Sequence, residues 1–267
     1  MWPRWLSISI VAAFGAPVAR AAEITALPVP TGAGIERGVA VVLCATESKD
    51  LVAHSRAAVL DVGSAANAEV LLTTAHGLPP DAQAVKRDCR VGVRGIAYRI
   101  AEVWHSGGNL RGPEQDWAVI ALEGRIAGDV HRWRVAHFSE KWLTEAAADG
   151  APVRLVLRYA DARQSDCRLE PRTSDPRLLL AHSCVSYDGM SGTPLVVALD
   201  VEPEPVLIGV QVGWQLQWRG RELDSVNVAR PVDAAVVAAI EAAAKWAQAA
   251  PSIEVPARAS ARGRRPR

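Results

Sequence analysis

One serine stands between two glycines in the second half of the chain. Ser191 lies in the segment Gly189 to Pro194, which reads GMSGTP. Glycine accepts positive φ and lets a ligand approach the backbone, so the serine hydroxyl can point outward beside free backbone N–H groups. This arrangement suits nucleophilic acyl transfer, in which nearby donors stabilise a developing oxyanion. The segment alone also fits a plain turn between two strands, and it lacks the glycine that the α/β-hydrolase elbow carries two residues after its serine, where Thr193 stands here.

A serine nucleophile needs a general base and an acid that orients the base. Of the six histidines, only His76 follows directly on an apolar, β-branched run, 70–74. Only Asp116 opens a second such run, 116–122. The order His76, Asp116, Ser191 therefore defines the candidate constellation. The alternative interpretation makes His76 a capped strand end and Asp116 a turn residue.

Short apolar segments separated by turn residues fill most of the chain and predict an all-β sandwich or barrel. The predicted strands are 39–43, 56–62, 70–74, 89–93, 98–104 and 116–122, followed by 153–159, 167–170, 177–181, 195–199, 206–214 and 225–229. A short helix is predicted over 139–148. An alanine-rich helix is predicted to begin near Pro231 and to stop at Pro251.

Three motifs in this order resemble those of the chymotrypsin-like (trypsin-fold) serine peptidases. Residues 73–76 (TTAH) correspond to the family's T-A-A-H, residues 116–119 (DWAV) to D-[IL]-A-[LV], and residues 189–194 to G-D-S-G-G-P. The resemblance covers about residues 36–247. It implies two six-stranded β-barrels with the active site between them and a C-terminal α-helix. The implied organisation is a peptidase domain at 36–250, with barrels at about 36–130 and 131–230.

The resemblance also implies a role for each matched residue. Ser191 would be the nucleophile, His76 the general base and then acid, and Asp116 the orienting carboxylate. The backbone N–H groups of Gly189 and Ser191 would form the oxyanion hole. The family's acid before the serine is replaced by Met190, and no activation site occurs near Gly38. We therefore predict a bacterial-type member that needs no new N-terminus for activation.

The strand 206–214 resembles the one that lines the family's primary pocket, with Val212-Gly213-Trp214 in place of S-W-G. Val212 lacks the hydroxyl that commonly supports the catalytic acid. The pocket-base position is Val185, which is not acidic, so the prediction leans to apolar side chains and not to Arg or Lys. Further residues predicted around this pocket are Ser186 and Asp188 at its entrance and Asn227 near its rear wall.

The N-terminus has the features of a secretory signal peptide. Arg4 precedes an apolar run, 5–18, and Ala19-Arg20-Ala21 supplies a small-residue cleavage site. We predict removal of residues 1–21, an extended lead-in at 22–35, and a secreted or periplasmic protein. A membrane anchor is the alternative interpretation.

The four cysteines are an even count, which in an exported chain predicts two disulfides. We predict Cys167–Cys184, which closes a short segment leading into the serine turn, and Cys44–Cys89, which stays within the first half. Their spacings do not indicate a zinc site, and no metal or cofactor is predicted.

The leading hypothesis is a secreted or periplasmic serine endopeptidase acting on protein or peptide substrates. A catalytically weak or silent trypsin-fold binding protein is the alternative, and an esterase would use the same triad. The net charge of +1 gives no reason to expect nucleic acid as a partner, and no stable membrane span is predicted once the signal is removed. The basic tail, 251–267, is predicted to be disordered and solvated, or else to make weak contact with an anionic surface.

Overall fold

A computed structural model describes residues 25–27, 34–45, 50–105, 112, 115–157, 167–171, 179–219 and 222–253. The protein is all-β, as predicted, with three α-helices packed on its sheets. The predicted signal peptide, most of the lead-in and most of the basic tail lie outside the described residues. Before residue 34, the structure describes residues 25–27 of the lead-in, which include a two-residue strand, β1 (Ala26–Leu27).

The first half forms a closed six-stranded antiparallel barrel. Its strands are β2 (Val39–Ala45), β3 (Leu51–Val59), β4 (Val70–Thr73), β5 (Cys89–Val93), β6 (Ile96–His105) and β7 (Ala118–Leu122), in the order β2-β3-β4-β7-β6-β5. Every residue of β4 and β7 is buried. Both faces need apolar residues there, because Leu71 and Ile120 point into the barrel core while Leu72 and Val119 pack into a second core outside it.

The second half forms a curled sheet of seven strands. They are β1 together with β8 (Arg154–Leu155), β9 (Leu169–Glu170), β10 (Leu180–His182), β11 (Pro194–Leu199), β12 (Val206–Arg219) and β13 (Glu222–Pro231). The path runs β1-β11-β12-β13-β10-β9, and β8 also pairs with β11. The predicted architecture of two barrels is therefore confirmed; among the described residues the first sheet is closed and the second is a curled half-barrel. Strands β8 and β9 have two residues each, and a single bridge, Pro152 to Arg168, joins that side of the sheet.

The helices include one that the sequence analysis did not predict. Helix α1 (Ala82–Asp88) begins after Asp81, whose carboxylate accepts from the N–H groups of Gln83 and Ala84. Helix α2 (Glu140–Ala148) confirms the short helix predicted over 139–148, and the Ser139 side chain caps its start. Helix α3 (Ala234–Ala249) begins after Asp233 and confirms the predicted C-terminal helix.

Helix α3 follows the second sheet in the chain but packs against the first barrel. Val236 and Ile240 of α3 are buried in one core with Val70 and Val119 of the barrel. The backbone N–H of Asn67 donates to the Ala247 carbonyl. The helix therefore fastens the end of the second half to the first, which fixes the relative position of the two sheets.

Both predicted disulfides, Cys44–Cys89 and Cys167–Cys184, are present. The first joins paired positions of β2 and β5, and the second joins the segment just before β9 to the loop after β10. Within the part of the chain that the structure describes, no helix has the length and apolar character needed to cross a membrane.

Candidate active site

Three turns bring the predicted catalytic side chains together between the barrel and the curled sheet. Strand β4 ends at the buried Thr73, and the next residue, Thr74, is also buried; His76 follows two positions later. Asp116 lies just before β7, which pairs with β4 so that Thr73 faces Ala118. Ser191 lies in the turn before β11. Because β4 and β7 are neighbours, the base and the acid meet at one end of the barrel.

The three side chains form a continuous hydrogen-bonded relay. His76 Nδ1 lies 2.5 Å from Asp116 Oδ2, and His76 Nε2 lies 2.9 Å from Ser191 Oγ. The other carboxylate oxygen, Asp116 Oδ1, accepts from the backbone N–H of His76 at 2.9 Å. Asp116 therefore holds both the ring and the backbone of His76, which fixes the imidazole against Ser191.

The environment of the relay favours a basic histidine. The hydrogen bond that His76 Nδ1–H donates to Asp116 raises the pKa of His76, partial burial opposes this rise, and the negative charge of Asp116 adds to it. The Asp116 side chain is 8% exposed and that of His76 is 36% exposed. The buried carboxylate stabilises a proton on His76, and the partly exposed ring of His76 can take that proton from a serine hydroxyl.

The serine turn is fixed by both halves of the molecule. The Arg56 N–H of β3 donates to the Ser191 carbonyl at 2.6 Å, and the Gly192 N–H donates to the Gln211 carbonyl of β12 at 2.7 Å. Gly192 has φ +80°, and a Cβ there would lie 2.0 Å from the Arg56 carbonyl oxygen. Only glycine fits this close approach, which explains why the residue after the serine has no side chain.

The predicted oxyanion donors lie on the same turn. Gly189 has φ +84°, and no atom lies within 4 Å of the position that a Cβ would take, so this side of the turn is open. Among the described residues, neither the Gly189 N–H nor the Ser191 N–H donates to a protein acceptor. Met190, between them, is 2% exposed and packs in the core of the curled sheet. Its apolar burial is consistent with the absence of an ion pair at this position.

The residues predicted for the primary pocket have different environments. Val185 is 38% exposed and Trp214 is 66% exposed, whereas Val212 is buried. Val212 packs in a small apolar cluster with Leu179, Ala181, Val226 and Val228. Within the described residues, both hydrogen bonds to Asp116 come from His76. Among the described residues, no other side chain thus supplies to Asp116 the hydroxyl donor that is missing at Val212.

Strand β12 offers a free edge beside the turn. Its pairing with β11 ends at Pro194–Val210, while its pairing with β13 continues to Arg219–Glu222. Gly213 and Trp214 lie just beyond the point where β11 leaves. Among the described residues, this stretch of β12 has a strand neighbour on one side only, and Trp214 and Leu216 are exposed there.

A buried polar chain beside the turn was missed by the sequence analysis. His182 Nε2 lies 2.7 Å from Gln211 Oε1, and Gln211 Nε2 lies 2.9 Å from Ser186 Oγ and 2.7 Å from the Gly213 carbonyl oxygen. His182 and Gln211 are each 1% exposed. Burial lowers the pKa of His182 to about 4, so its ring is neutral at pH 7. The available signal was Gln211 inside the predicted apolar strand 206–214 and His182 directly after the predicted strand 177–181.

Asn227 lies near the same chain. Its Nδ2 donates to the Cys184 carbonyl at 2.8 Å, which ties β13 to the loop that carries Val185 and Ser186. Asp188, predicted beside Ser186, is exposed. The predicted pocket residues are therefore gathered on one loop and two strands next to Ser191.

No protein-family model matches the chain, and a search of curated proteins found no match either.

Proposed function

We propose that this protein is a serine endopeptidase of the chymotrypsin-like kind that hydrolyses peptide bonds through an acyl-enzyme. The observation that carries the proposal is the relay from Asp116 through His76 to Ser191, with distances of 2.5 and 2.9 Å. Two antiparallel barrel-like sheets with the relay between them support it further, because this architecture is consistent with the trypsin fold.

The chemistry follows from the polarity of the relay. Ser191 Oγ attacks the carbonyl carbon of the scissile bond while its proton passes to His76 Nε2. The Asp116 carboxylate stabilises the resulting imidazolium and keeps Nδ1 protonated. The imidazolium then donates its Nε2 proton to the leaving amine as the C–N bond breaks. Water then enters and gives a proton to His76 Nε2 as its oxygen bonds to the acyl carbon. His76 returns that proton to Ser191 Oγ as the acyl C–Oγ bond breaks, which releases the acid product and restores the neutral histidine and the serine hydroxyl.

The developing oxyanion needs donors on the serine turn. The Gly189 and Ser191 N–H groups are free of protein acceptors among the described residues and flank an open surface. Their backbone is held by the buried Met190 and by the bonds to Arg56 and Gln211. In our proposal these fixed dipoles stabilise charge without having to reorganise during the reaction.

The substrate is proposed to bind as an added strand. The free edge of β12 beyond Gln211 can pair with an extended peptide whose carbonyl reaches Ser191. The exposed faces of Trp214 and Leu216 supply apolar contact to substrate residues further from the scissile bond. A peptide bond within a longer chain fits this edge better than a small ester does.

An oxidising compartment suits the two disulfides. Together with the signal-like residues 1–21 they support a secreted or periplasmic location. N-terminal sequencing of the exported protein should find a start near Ala22, and an intact Met1 on the exported form would contradict the assignment.

The test of the activity compares wild type with Ser191→Ala on a peptide pool and on an activated ester. Labelling of Ser191 by a fluorophosphonate should accompany Ser191-dependent cleavage. Ser183→Ala is the matched control, because the exposed Ser183 hydroxyl bonds to the backbone N–H of Arg168 and not to the relay. Equal rates for wild type and Ser191→Ala would refute the proposal and leave a silent trypsin-fold binding protein. Cleavage of the ester without the peptides would indicate an esterase.

A further inference from the structure

We propose that Ser186 selects substrates whose residue on the acyl side of the scissile bond ends in a carbonyl or carboxylate oxygen, because Gln211 and His182 hold its hydroxyl as a donor. The inference rests on the proposed peptidase function and names the substrate class of that site. Its basis is the direction of the buried polar chain behind Ser186.

The Gly213 carbonyl fixes the orientation of the Gln211 amide. A carbonyl oxygen can only accept, so the amide atom 2.7 Å from it must be the NH₂ group. The same nitrogen lies 2.9 Å from Ser186 Oγ, so its second proton is donated there. Turning the amide over would place two carbonyl oxygens against each other. Ser186 Oγ therefore accepts from Gln211.

The amide orientation then decides the tautomer of His182. Gln211 Oε1 can only accept, so the proton of the neutral His182 ring is on Nε2, 2.7 Å away. The other ring nitrogen, Nδ1, is buried and has no hydrogen-bond partner among the residues that the structure describes. A buried ring nitrogen without a partner costs stability. His182 thus acts as a dedicated donor to Gln211, and the chain runs one way, from His182 to Ser186.

The Ser186 proton is left over at the end of this chain. Its oxygen accepts from Gln211, and among the described residues no acceptor takes its own O–H. Ser186 is half-buried and lies five positions before Ser191. The backbone of Gln211 bonds to Gly192 and Thr193, which puts the end of the chain next to the nucleophile turn. A substrate side chain that reaches Ser186 meets a donor.

This donor changes the expected preference. A lysine or arginine side chain offers only donors and leaves the Ser186 proton unmatched, and an apolar side chain covers it without a bond. A glutamine or glutamate side chain brings an acceptor oxygen. The preference drawn from the sequence leaned to apolar residues because Val185 occupies the pocket-base position. Val185 is 38% exposed, whereas the chain of hydrogen bonds from His182 through Gln211 ends at its neighbour, Ser186.

The experiment uses four peptides that differ only in the acyl-side residue: Gln, Glu, Met or Lys. Met has nearly the shape of Gln without its strong acceptor. We expect kcat/KM for wild type to be about 5- to 10-fold higher for Gln and Glu than for Met. Ser186→Ala should reduce this ratio to about 1, Ser186→Thr should retain it, and Ser183→Ala should leave it unchanged. A ratio near 1 for wild type, or an unchanged ratio in Ser186→Ala, would overturn the inference.

A binding measurement separates this inference from the proposed function. The same peptides are titrated against full-length Ser191→Ala, which needs no turnover. The inference is supported if the Gln or Glu peptide binds more tightly than the Met peptide and if this difference disappears when Ser186→Ala is added. This result would hold even if wild type cleaves no peptide and Ser191 is not labelled. Cleavage that depends on Ser191 but favours Met would leave the peptidase proposal standing and reject the role of Ser186.

Discussion

Replacement of Asp116 by asparagine tests the relay most sharply, because the structure dictates how the new amide must lie. The two carboxylate oxygens accept two N–H groups of His76, one from the backbone and one from the ring. The backbone N–H can only donate, so the amide oxygen of the introduced asparagine must take that position. The amide NH₂ then faces His76 Nδ1, which must accept.

The magnitude follows from the tautomer. An accepting Nδ1 places the ring proton on Nε2, where it points at Ser191 Oγ, 2.9 Å away. A protonated Nε2 cannot take the serine proton. Comparable triads lose about 10⁴ in turnover from this change, which corresponds to about 5 kcal/mol of activation free energy. We expect a loss of that size in kcat for Asp116→Asn, with the fold intact.

The assay is single-peptide hydrolysis across pH 5–10, with thermal unfolding to check the fold. Asp61→Asn is the matched control, because the exposed Asp61 carboxylate accepts a single backbone N–H, from Gly63, and asparagine can replace it there. The control should keep wild-type turnover. A folded Asp116→Asn protein with turnover within tenfold of wild type would refute the relay as the source of activity.

The remaining predictions concern the turn and two histidines. Gly192→Ala should lower kcat/KM by about 10²-fold, because its Cβ would lie 2.0 Å from the Arg56 carbonyl oxygen. Gly63→Ala is the control, because Gly63 also has a positive φ (+89°) but has open space where a Cβ would lie. Equal losses of kcat/KM in both variants would contradict the close approach as the cause. Turnover of wild type should rise with pH as His76 loses its proton, with a midpoint above 6.5 because its pKa is raised in the folded protein; a midpoint below 6.5 would argue against the bond to Asp116. The pKa of His182 is about 4 in the folded protein, so between pH 4 and about 6.5 its ring is protonated in the unfolded chain but not in the folded one. The free energy of unfolding should therefore fall by up to about 3 kcal/mol as the pH is lowered through that window. His182→Gln should flatten this part of the denaturation curve, and an unchanged curve would show that the ring is not buried neutral.

Local chemistry made the triad predictable. Each of the three residues adjoins an apolar strand, and a strand end is where a side chain is both held by the sheet and open to solvent. His105 and His182 also directly follow predicted strands, at 98–104 and 177–181, so the motifs around His76 and Asp116 were needed to choose them. Their contact depends on the pairing of β4 with β7, which the sequence analysis supplied through the resemblance and not through strand patterns.

A local sequence signal for helix α1 was not used in the prediction, and some apolar segments were predicted as longer strands than the structure has. Asp81 followed by Ala-Gln-Ala-Val-Lys has the cap and composition of a helix start, and α1 begins there. Within the described residues, the segments predicted as strands at 153–159 and 167–170 form strands of two residues each. Their apolar residues fill the core of the curled sheet, so burial alone produced a strand-like pattern without an extended ladder.

The polar chain behind Ser186 could not be predicted, because its members are separated in sequence and meet through strand pairing. His182 lies in β10, Gln211 in β12, and β13 runs between them; Ala229 of β13 pairs with Gln211, while Asn227 pairs with His182. A shift of one residue in either register would turn His182 or Gln211 to the opposite face of the sheet. The direction of the chain needs one more fact, the position of the Gly213 carbonyl at a register shift in β12. That backbone oxygen orients the Gln211 amide, the amide orients the His182 ring, and the Ser186 proton is thereby left without an acceptor among the described residues.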